Sequence, residues 1–223
     1  MTEIKFSKAS CPLCHEVATR CYFEDKHRCY LQCPECHLVF VPEHYHLSSE
    51  AEKAEYDLHE NSELTEGYQR FLERTLVPLH MQLEQIFDGP VLGLDYGCGE
   101  GQALSQLAQQ RNLAMVNYDL YYHPHQDVLH RQYHFITMTE VLEHIAQPDV
   151  LMRRLLKMLK PNGIIAIMTK RVTDVAAFSR WHYKNDKTHI CFYSEPTFQW
   201  LAAEFNLQLK SIEKDVVFLY KTR

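Results

Sequence analysis

The chain has 223 residues, a formal net charge of −6 and an aromatic content of 12%. This length suffices for one full domain and a small additional module. No apolar run approaches the roughly 20 residues that span a bilayer, and the first residues lack the apolar segment of a secretory signal, so we expect a soluble cytoplasmic protein with no membrane partner. The acidic balance does not favour nucleic acid as a partner, because phosphate binding depends mainly on clustered Lys and Arg side chains.

Two Cys-x-x-Cys pairs lie near the start of the sequence. Cys11 and Cys14 form the first pair, Cys33 and Cys36 form the second, and 18 residues separate them. This spacing is typical of a four-thiolate zinc site, in which the sulfurs of two tight turns converge on one tetrahedral ion. Apolar and polar residues alternate between the pairs, which predicts a β-hairpin. The whole resembles a zinc ribbon, and a module of about 40 residues has so small a core that a structural metal would supply folding free energy.

Two details of this module leave alternatives open. His15 and His37 each follow the second cysteine of a pair, where ribbons often have glycine. Each histidine either adopts a left-handed backbone conformation, at some cost, or replaces a thiolate as ligand. A redox-active cysteine pair is the competing interpretation of each motif, although no strand–helix–strand context surrounds them. Cys21 and Cys29 would face each other across the hairpin, and we expect them to be packing residues.

The region that follows the cysteine module is expected to be helical. Residues 48–66 are acidic and predicted to be helical in part. Apolar residues recur at helical spacing over residues 68–86, which predicts helices that pack against a sheet. Pro78 is expected to kink or restart the helix.

A glycine-rich turn follows at residues 94–101, which read LDYGCGEG. A short apolar run precedes it and apolar residues at helical spacing follow it, which predicts a strand, a turn and a helix. Glycine tolerates positive φ and lets a ligand approach the backbone, and the first helical turn offers free N–H groups to polar ligand atoms. Taken alone, the Gly-x-Gly-x-Gly pattern is also compatible with a plain tight turn. Asp119, about 20 residues further on, stands where an acid would accept hydrogen bonds from a ribose diol.

The glycine turn, the acid before it and Asp119 together resemble class I S-adenosylmethionine (SAM)-dependent methyltransferases, whose first motif reads like Leu-Asp-x-Gly-Cys-Gly-x-Gly. The resemblance implies an α/β fold with a Rossmann-like, seven-stranded, mostly parallel sheet and helices on both faces. It also implies that Asp95 organises the methionyl amine of SAM and that the glycine turn lies under the adenosyl group. In related methyltransferases, a segment such as the one around Tyr56, His59 and Asn61 often folds over the cofactor. The predicted SAM-binding residues are therefore Asp95, Gly97, Cys98, Gly99, Gly101, Asp119, Leu120, Thr139, Glu140 and Tyr56.

The predicted sheet continues in the second half of the chain. A strand at residues 135–138 leads into residues 139–144, TEVLEH, which resemble the Val-Leu-Glu-His segment of small-molecule and quinone-type methyltransferases. A buried strand at residues 164–168, a helix capped by Ser194 and a closing antiparallel pair of strands complete it. Between residues 119 and 135, the usual third strand with its adenine-contacting acid is not recognisable.

Residues 181–194 are expected to line the side of the site where the methyl acceptor binds, because similar methyltransferases carry a Thr-His-x-x-Phe-Tyr-Ser-like run just before the final helix. We predict His189 as a general base, oriented by Asp186. The alternative is that His189 only hydrogen-bonds the backbone and fixes the loop. His144 is expected to be structural, and Glu143 shows no evident role.

The sequence therefore predicts three segments: a zinc-ribbon-like module at residues 1–46, a helical lid or connector at 47–88 and a methyltransferase core at 89–223. The predicted function is transfer of a methyl group from SAM to a small or carrier-bound acceptor, with a structural Zn²⁺ in the module. One alternative is an RNA methyltransferase whose zinc module grips the substrate, although residues 1–46 hold five Lys or Arg against six acids. A second alternative is a non-catalytic protein that uses the same fold to bind a partner.

Overall fold

The structure is a computed structural model, and it describes residues 9–58 and 65–222. Ten strands are assigned in these residues: β1 (Arg20–Glu24), β2 (Cys29–Gln32), β3 (Val39–Phe40), β4 (Leu92–Tyr96), β5 (Ala114–Tyr118), β6 (Tyr133–Thr139), β7 (Leu159–Met168), β8 (Cys191–Phe192), β9 (Leu207–Ser211) and β10 (Val216–Lys221). The α-helices are α1 (Ser49–Tyr56), α2 (Glu66–Ile86), α3 (Ala103–Gln109), α4 (Pro148–Met158), α5 (Val175–Ser179) and α6 (Glu195–Glu204). None of the helices in the described part of the chain is both long and apolar enough to cross a membrane.

The larger sheet has the strand order β5-β4-β6-β7-β10-β9. The first four strands of this order are parallel, and β10 and β9 continue the sheet in antiparallel pairing. Neighbouring residues of β7 belong to two different hydrophobic cores, because side chains alternate between the faces of a strand. Leucines of α2 and α3 cover one face, whereas α4 and α6 cover the other. The predicted α/β fold with a mostly parallel sheet and helices on both faces is confirmed.

The predicted number of seven strands is wrong for the described residues, in which the sheet has six. Residues 119–132 connect the edge strand β5 to β6 on the far side of β4. A crossover between parallel strands needs a dozen or more residues, so this segment has no room for an additional strand. It forms instead a short 3₁₀ turn at Gln126–His130.

A second, antiparallel sheet joins the cysteine module to the rest of the protein. Its strand order is β1-β2-β3-β8, so its last strand comes from the part of the chain just before α6. Val39 pairs with Phe192, and Phe40 pairs with Cys191. Buried residues of the module, such as Leu38, belong to the same core as α4 and α6. The module therefore packs as part of the domain, and the boundary at residue 46 stays a prediction.

Helix α2 runs through Pro78 as one helix, so of the two outcomes expected for this proline the restart is wrong, and a kink stays a prediction. The buried residues of α2 lie on both sides of the proline: Leu72, Thr75, Leu76, Leu79 and Leu83. Packing of this continuous apolar stripe on the sheet offsets the one backbone hydrogen bond that a proline removes. The predicted cap of the last helix is confirmed, because the side chain of Ser194 accepts a hydrogen bond from the backbone N–H of Thr197.

Candidate methyl-transfer site

A cavity of about 840 Å³ opens at the carboxyl ends of β4, β5 and β6. In open α/β sheets, ligands bind outside this edge of the sheet, and the volume lies within the range of small-molecule sites. Most of the residues predicted to form the site line this cavity: Tyr56, Gly97, Cys98, Gly99, Gly101, Asp119, Leu120, Thr139, Glu140, Asp186 and His189. Residues that are about 130 positions apart in the sequence are thus brought together around one cleft.

The turn after β4 requires glycine for a steric reason at Gly97. Its φ is +77°, and an added Cβ would lie 2.5 Å from Cγ2 of Val141. Gly99 also has a positive φ, of +64°, but open space surrounds it. The backbone N–H groups of Gly97 and Cys98 donate to the carbonyl of Tyr118, at 2.8 and 3.2 Å. These bonds tie the glycine turn to the end of β5, and the space beside Gly99 stays open.

Asp119 is directed at the glycine turn. Its Oδ2 accepts a hydrogen bond from the backbone N–H of Gly99 at 3.1 Å. Its Oδ1 accepts from the N–H groups of Tyr121 and Tyr122, at 2.8 and 3.1 Å. Three backbone donors therefore hold the carboxylate in one orientation at the wall of the cavity.

Asp95 is the one predicted SAM-binding residue that does not line the cavity. Its side chain is buried at the end of β4, with Oδ1 accepting from the hydroxyl of Thr137 at 2.7 Å. Burial raises the pKa of Asp95 to about 7, because removal from water disfavours the charged carboxylate. The carboxyl group thus lies behind the wall of the cavity, and its predicted role toward the methionyl amine stays a prediction.

Two acidic side chains follow β6, and the sequence pattern predicted a role in the site only for the first. Glu140 has a φ of +53° and lines the cavity. Burial, together with the nearby Glu143, raises the pKa of Glu140 to about 8. Glu143 is fully buried and accepts a short hydrogen bond from the hydroxyl of Tyr183, and burial raises its pKa to about 7. The sequence did contain one signal that could have identified Glu143 as a site residue: it is an acidic residue just beyond the carboxyl end of a parallel strand.

His189 lies at the cavity wall with its ring almost fully buried. Nδ1 is 2.7 Å from the carbonyl oxygen of Tyr183, so Nδ1–H donates to that carbonyl and Nε2 carries the free lone pair in the neutral ring. Burial, and then the neighbouring His144, lower the pKa of His189 to about 4. The imidazole is therefore neutral near pH 7.

Asp186 is close to His189 but engages another partner. Its Oδ2 lies 3.7 Å from Nε2 of His189, beyond hydrogen-bond distance. Its Oδ1 accepts from the backbone N–H and the hydroxyl of Thr188, at 2.9 and 2.6 Å. Asp186 thus stabilises the turn that precedes His189, and the general-base role predicted for His189 stays a prediction.

Helix α1 contributes Glu52 and Tyr56 to the wall of the cavity. The hydroxyl of Tyr121 donates to Glu52 at 2.6 Å, and that of Tyr122 donates to Asp57 at 2.7 Å. The ring of Tyr56 packs edge-on against His144, with 5.3 Å between the ring centroids. The predicted lid residues His59 and Asn61 lie outside the described residues.

The four cysteines of the two Cys-x-x-Cys pairs form a second cluster, separate from the cavity. All four sulfurs lie within 4.8 Å of one another, and two of the distances, Cys11–Cys36 and Cys14–Cys33, are 3.5 and 3.3 Å. Thiolates bound to one tetrahedral zinc ion at 2.3 Å are about 3.8 Å apart, so the cluster fits such an ion.

The two histidines that follow the cysteine pairs adopt the left-handed conformation, with φ of +64° at His15 and +59° at His37. Of the two outcomes expected for these histidines, the backbone one is therefore observed. Nε2 of His15 lies 2.9 Å from Oδ2 of Asp149 in α4. This contact directs the His15 ring toward α4, one of the helices that cover the larger sheet.

Comparisons with known proteins assign the chain to a family. A family model described as a methyltransferase domain matches residues 68–212. The solved structure of the plantazolicin methyltransferase BpumL in complex with SAH is 18% identical, with a TM-score of 0.52 over 78% of this chain and 90% of that one. The same enzyme with a pentazolic desmethylPZN analog and SAH is 17% identical, with a TM-score of 0.50 over 78% and 91% of the two chains. No curated protein sequence matched the chain.

These structural likenesses show a shared fold. The family model covers well over half of the chain. Its match includes the glycine turn, Asp119 and the acidic residues after β6. The protein is therefore a SAM-dependent methyltransferase and belongs to the methyltransferase-domain family.

Proposed function

We propose that the protein transfers the methyl group of SAM to a small or carrier-bound acceptor that binds beside residues 181–194. The observation that supports this most is that the glycine turn and Asp119 share one cavity with Tyr183 and His189. The first pair suits the donor and the second suits the acceptor. The volume of about 840 Å³ is in the range of sites for small molecules, as expected for an acceptor of modest size.

The donor side is proposed to use backbone and carboxylate groups. Gly99, with open space where a side chain would be, allows a close approach to the backbone, and the fixed carboxylate of Asp119 is available to a ribose diol, with Leu120 beside it. Oε1 of Glu140 has no hydrogen-bond partner within the described residues. We assign this oxygen to the methionyl ammonium group, because a buried carboxyl oxygen needs a donor.

In place of the direct contact with the methionyl amine that the sequence predicted, Asp95 is proposed to act indirectly, through the strands that carry the donor site. Its hydrogen bond with Thr137 links the ends of β4 and β6, which carry the glycine turn and Glu140. This link would keep the two parts of the donor site in register.

SAM supplies an activated sulfonium methyl group, so the protein has mainly to align the acceptor and accept its proton. The neutral His189 offers Nε2 as a hydrogen-bond acceptor for an O–H or N–H group. With a pKa of about 4 it is a weak base at neutral pH. We therefore place orientation of the acceptor first among its roles and proton removal second.

The cysteine cluster is proposed to hold a structural Zn²⁺. Four thiolates complete a tetrahedral shell and leave no position for a substrate, and none of the four cysteines lines the cavity in the described residues. The ion would stabilise the module and take no part in methyl transfer. Thiolate ligands persist in a reducing compartment, which supports a cytoplasmic location.

Two measurements test the proposal. Isothermal titration with SAM and with SAH should show binding of both, and absence of binding would favour the non-catalytic alternative. Incubation with radiolabelled SAM and fractionated cell extract should then label a low-molecular-weight or carrier fraction. Labelling of the RNA fraction instead, with retention that falls steeply with salt, would support the RNA methyltransferase alternative.

A further inference from the structure

A buried arginine of the cysteine module contacts the loop that carries the proposed acceptor-side residues. Arg28 follows the turn between β1 and β2 and is only 7% exposed. Its Nη1 donates to the carbonyls of Lys187 and His189, both at 3.1 Å. Its Nη2 donates to the carbonyl of Asp186 at 2.9 Å and makes a short bond to that of Lys184. One guanidinium thus binds four carbonyl groups within residues 184–189.

Other side chains of the hairpin support this contact. Oδ1 of Asp25 accepts from the backbone N–H of Arg28 at 2.9 Å, and Oδ2 pairs with Nζ of Lys184 at 3.2 Å. The hydroxyl of Tyr30 lies 3.2 Å from the carbonyl of Lys184. Burial raises the pKa of Asp25, but its hydrogen bonds and Lys184 outweigh burial and lower the pKa to about 2. The hairpin and the loop therefore share one charged, hydrogen-bonded network.

The loop depends on the hairpin because little regular structure holds it. Residues 182–185 form a single 3₁₀ turn, and β8 comprises two residues that pair with β3 of the module. The carbonyls that bind Arg28 are directed at the module and not into a strand ladder. Cys33 directly follows β2, so the cysteine cluster anchors the hairpin that presents Arg28.

We propose that Arg28 is a positioning residue for methyl transfer: it holds residues 184–189 so that Asp186 and His189 form the acceptor wall of the cavity. The cysteine module is then a structural part of the active site and not an arm that recruits a separate substrate. This inference rests on the proposed function of that cavity. The donor side, built on the glycine turn and Asp119, makes no contact with Arg28 among the hydrogen bonds of the described residues.

The variant that tests this role is Arg28→Lys. Lysine keeps the charge, but a single ammonium has three donors in place of the five that the guanidinium arranges in a planar fork. The matched control is Arg20→Lys, because Arg20 is exposed on the same hairpin. Hydrogen–deuterium exchange of peptides that cover residues 182–193 reports on the loop directly, and bound metal and SAH affinity report on the rest of the protein.

We expect Arg28→Lys to increase amide exchange in residues 182–193 about tenfold or more. Its metal content should stay at the wild-type level, and its SAH affinity should stay within about twofold. With the acceptor fraction found by the SAM-labelling experiment, kcat should fall while KM for SAM is unchanged. Arg20→Lys should match the wild type in every measurement.

Unchanged exchange in residues 182–193 of Arg28→Lys would overturn the proposal, and so would an equal loss of SAH affinity and metal, which indicates a general role in folding. Tyr30→Phe provides a milder second variant, because it removes the hydroxyl that contacts the Lys184 carbonyl, Asp25 and Nε of Arg28 but leaves the guanidinium bonds to the loop. A smaller increase in exchange confined to the same peptides supports the proposal, and no increase opposes it. Failure of the proposed function would instead appear in the wild type, as lack of SAH binding or of methyl transfer, with the exchange result unaffected.

Discussion

The carboxylate of Asp119 accepts a hydrogen bond from the backbone N–H of Gly99 at 3.1 Å, although these two residues, which follow neighbouring strands, are 20 positions apart. The hydroxyls of Tyr121 and Tyr122, which follow Asp119, donate to Glu52 in the middle of α1 and to Asp57 at its C-terminal end. A single segment therefore connects the proposed ribose-binding acid, the glycine turn and the helix at the cavity wall. A change in the charge of Asp119 should affect donor binding directly.

Replacement of Asp119 by Asn is expected to weaken SAH binding at least tenfold. The amide offers one acceptor oxygen where three backbone N–H groups are directed at two. It also removes the charge, and hydrogen bonds to charged groups are worth about 1.5–3 kcal/mol each, roughly twice as much as neutral ones. Isothermal titration measures the effect. Asp127→Asn is the control, because Asp127 is exposed and pairs with Arg131 in a surface ion pair. Equal losses in both variants would contradict the assignment.

Gly97→Ala is expected to destabilise the protein by about 1–3 kcal/mol. The positive φ of +77° disfavours any side chain there, and the new Cβ would lie 2.5 Å from Cγ2 of Val141. Urea denaturation measures the change. Gly67→Ala is the matched control: nothing lies within 4 Å of an added Cβ at this position in the first turn of α2, so stability should be unchanged or slightly higher. Similar losses for both glycines would show that the turn is not strained as described.

Asp95 should make stability depend on pH in a defined direction. Its pKa is raised to about 7 in the folded protein by burial, whereas an unfolded Asp titrates near 3.9. Because the folded state binds the proton more tightly, stability falls as pH rises from about 4 to about 7, with a slope of up to about 1.4 kcal/mol per pH unit.

Asp95→Asn removes this titration. As pH increases from about 4 to about 7, the unfolding free energy of the wild type should therefore fall relative to that of Asp95→Asn. Denaturation at several pH values, compared with Asp127→Asn, measures it. A difference that is independent of pH would show that Asp95 is not held protonated by burial.

His189→Gln should lower methyl transfer without changing SAH affinity, because His189 lies on the acceptor side. The lowered pKa of about 4 also predicts that protonation of His189 produces no inflection between pH 6 and 8. Measurement of kcat/KM against pH checks this. An acid limb near pH 6.5 that disappears in His189→Gln would show instead that the histidine titrates as an ordinary exposed group.

Removal of one cysteine of the cluster should release the metal. We expect one zinc ion per chain in the wild type and a large loss in Cys36→Ser, since three thiolates bind zinc far more weakly than four. Elemental analysis measures the metal, and thermal unfolding should show a lower transition temperature. Cys21→Ser is the control, because Cys21 is exposed and lies outside the cluster; equal metal loss in Cys21→Ser would place the ion elsewhere.

Several features were determined by the sequence by itself, because they depend on short-range geometry. The two Cys-x-x-Cys pairs form compact turns at any position in a fold, and their spacing predicted a cluster that the structure contains. The glycine turn and Asp119 follow consecutive parallel strands, and such strands end at the same edge of a sheet. Their meeting around one cavity therefore follows from local pattern and strand order.

Other features were decided only by the tertiary structure. The contact between Arg28 and residues 184–189 leaves no local signal in the sequence, because the two are more than 150 positions apart. Asp95 lies at the end of β4 and Glu143 a few residues beyond β6, close in sequence to the positions of Asp119 and Glu140 after their strands. Yet Asp95 is buried behind the cavity wall, and Glu143 is bonded to Tyr183. The alternation of polar and apolar residues in a sequence does not show where a side chain points when two elements that are distant in sequence pack together. Packing of the β3–β8 pair and of the hairpin against the loop determines those directions, since burial and hydrogen bonding there depend on both partners at once.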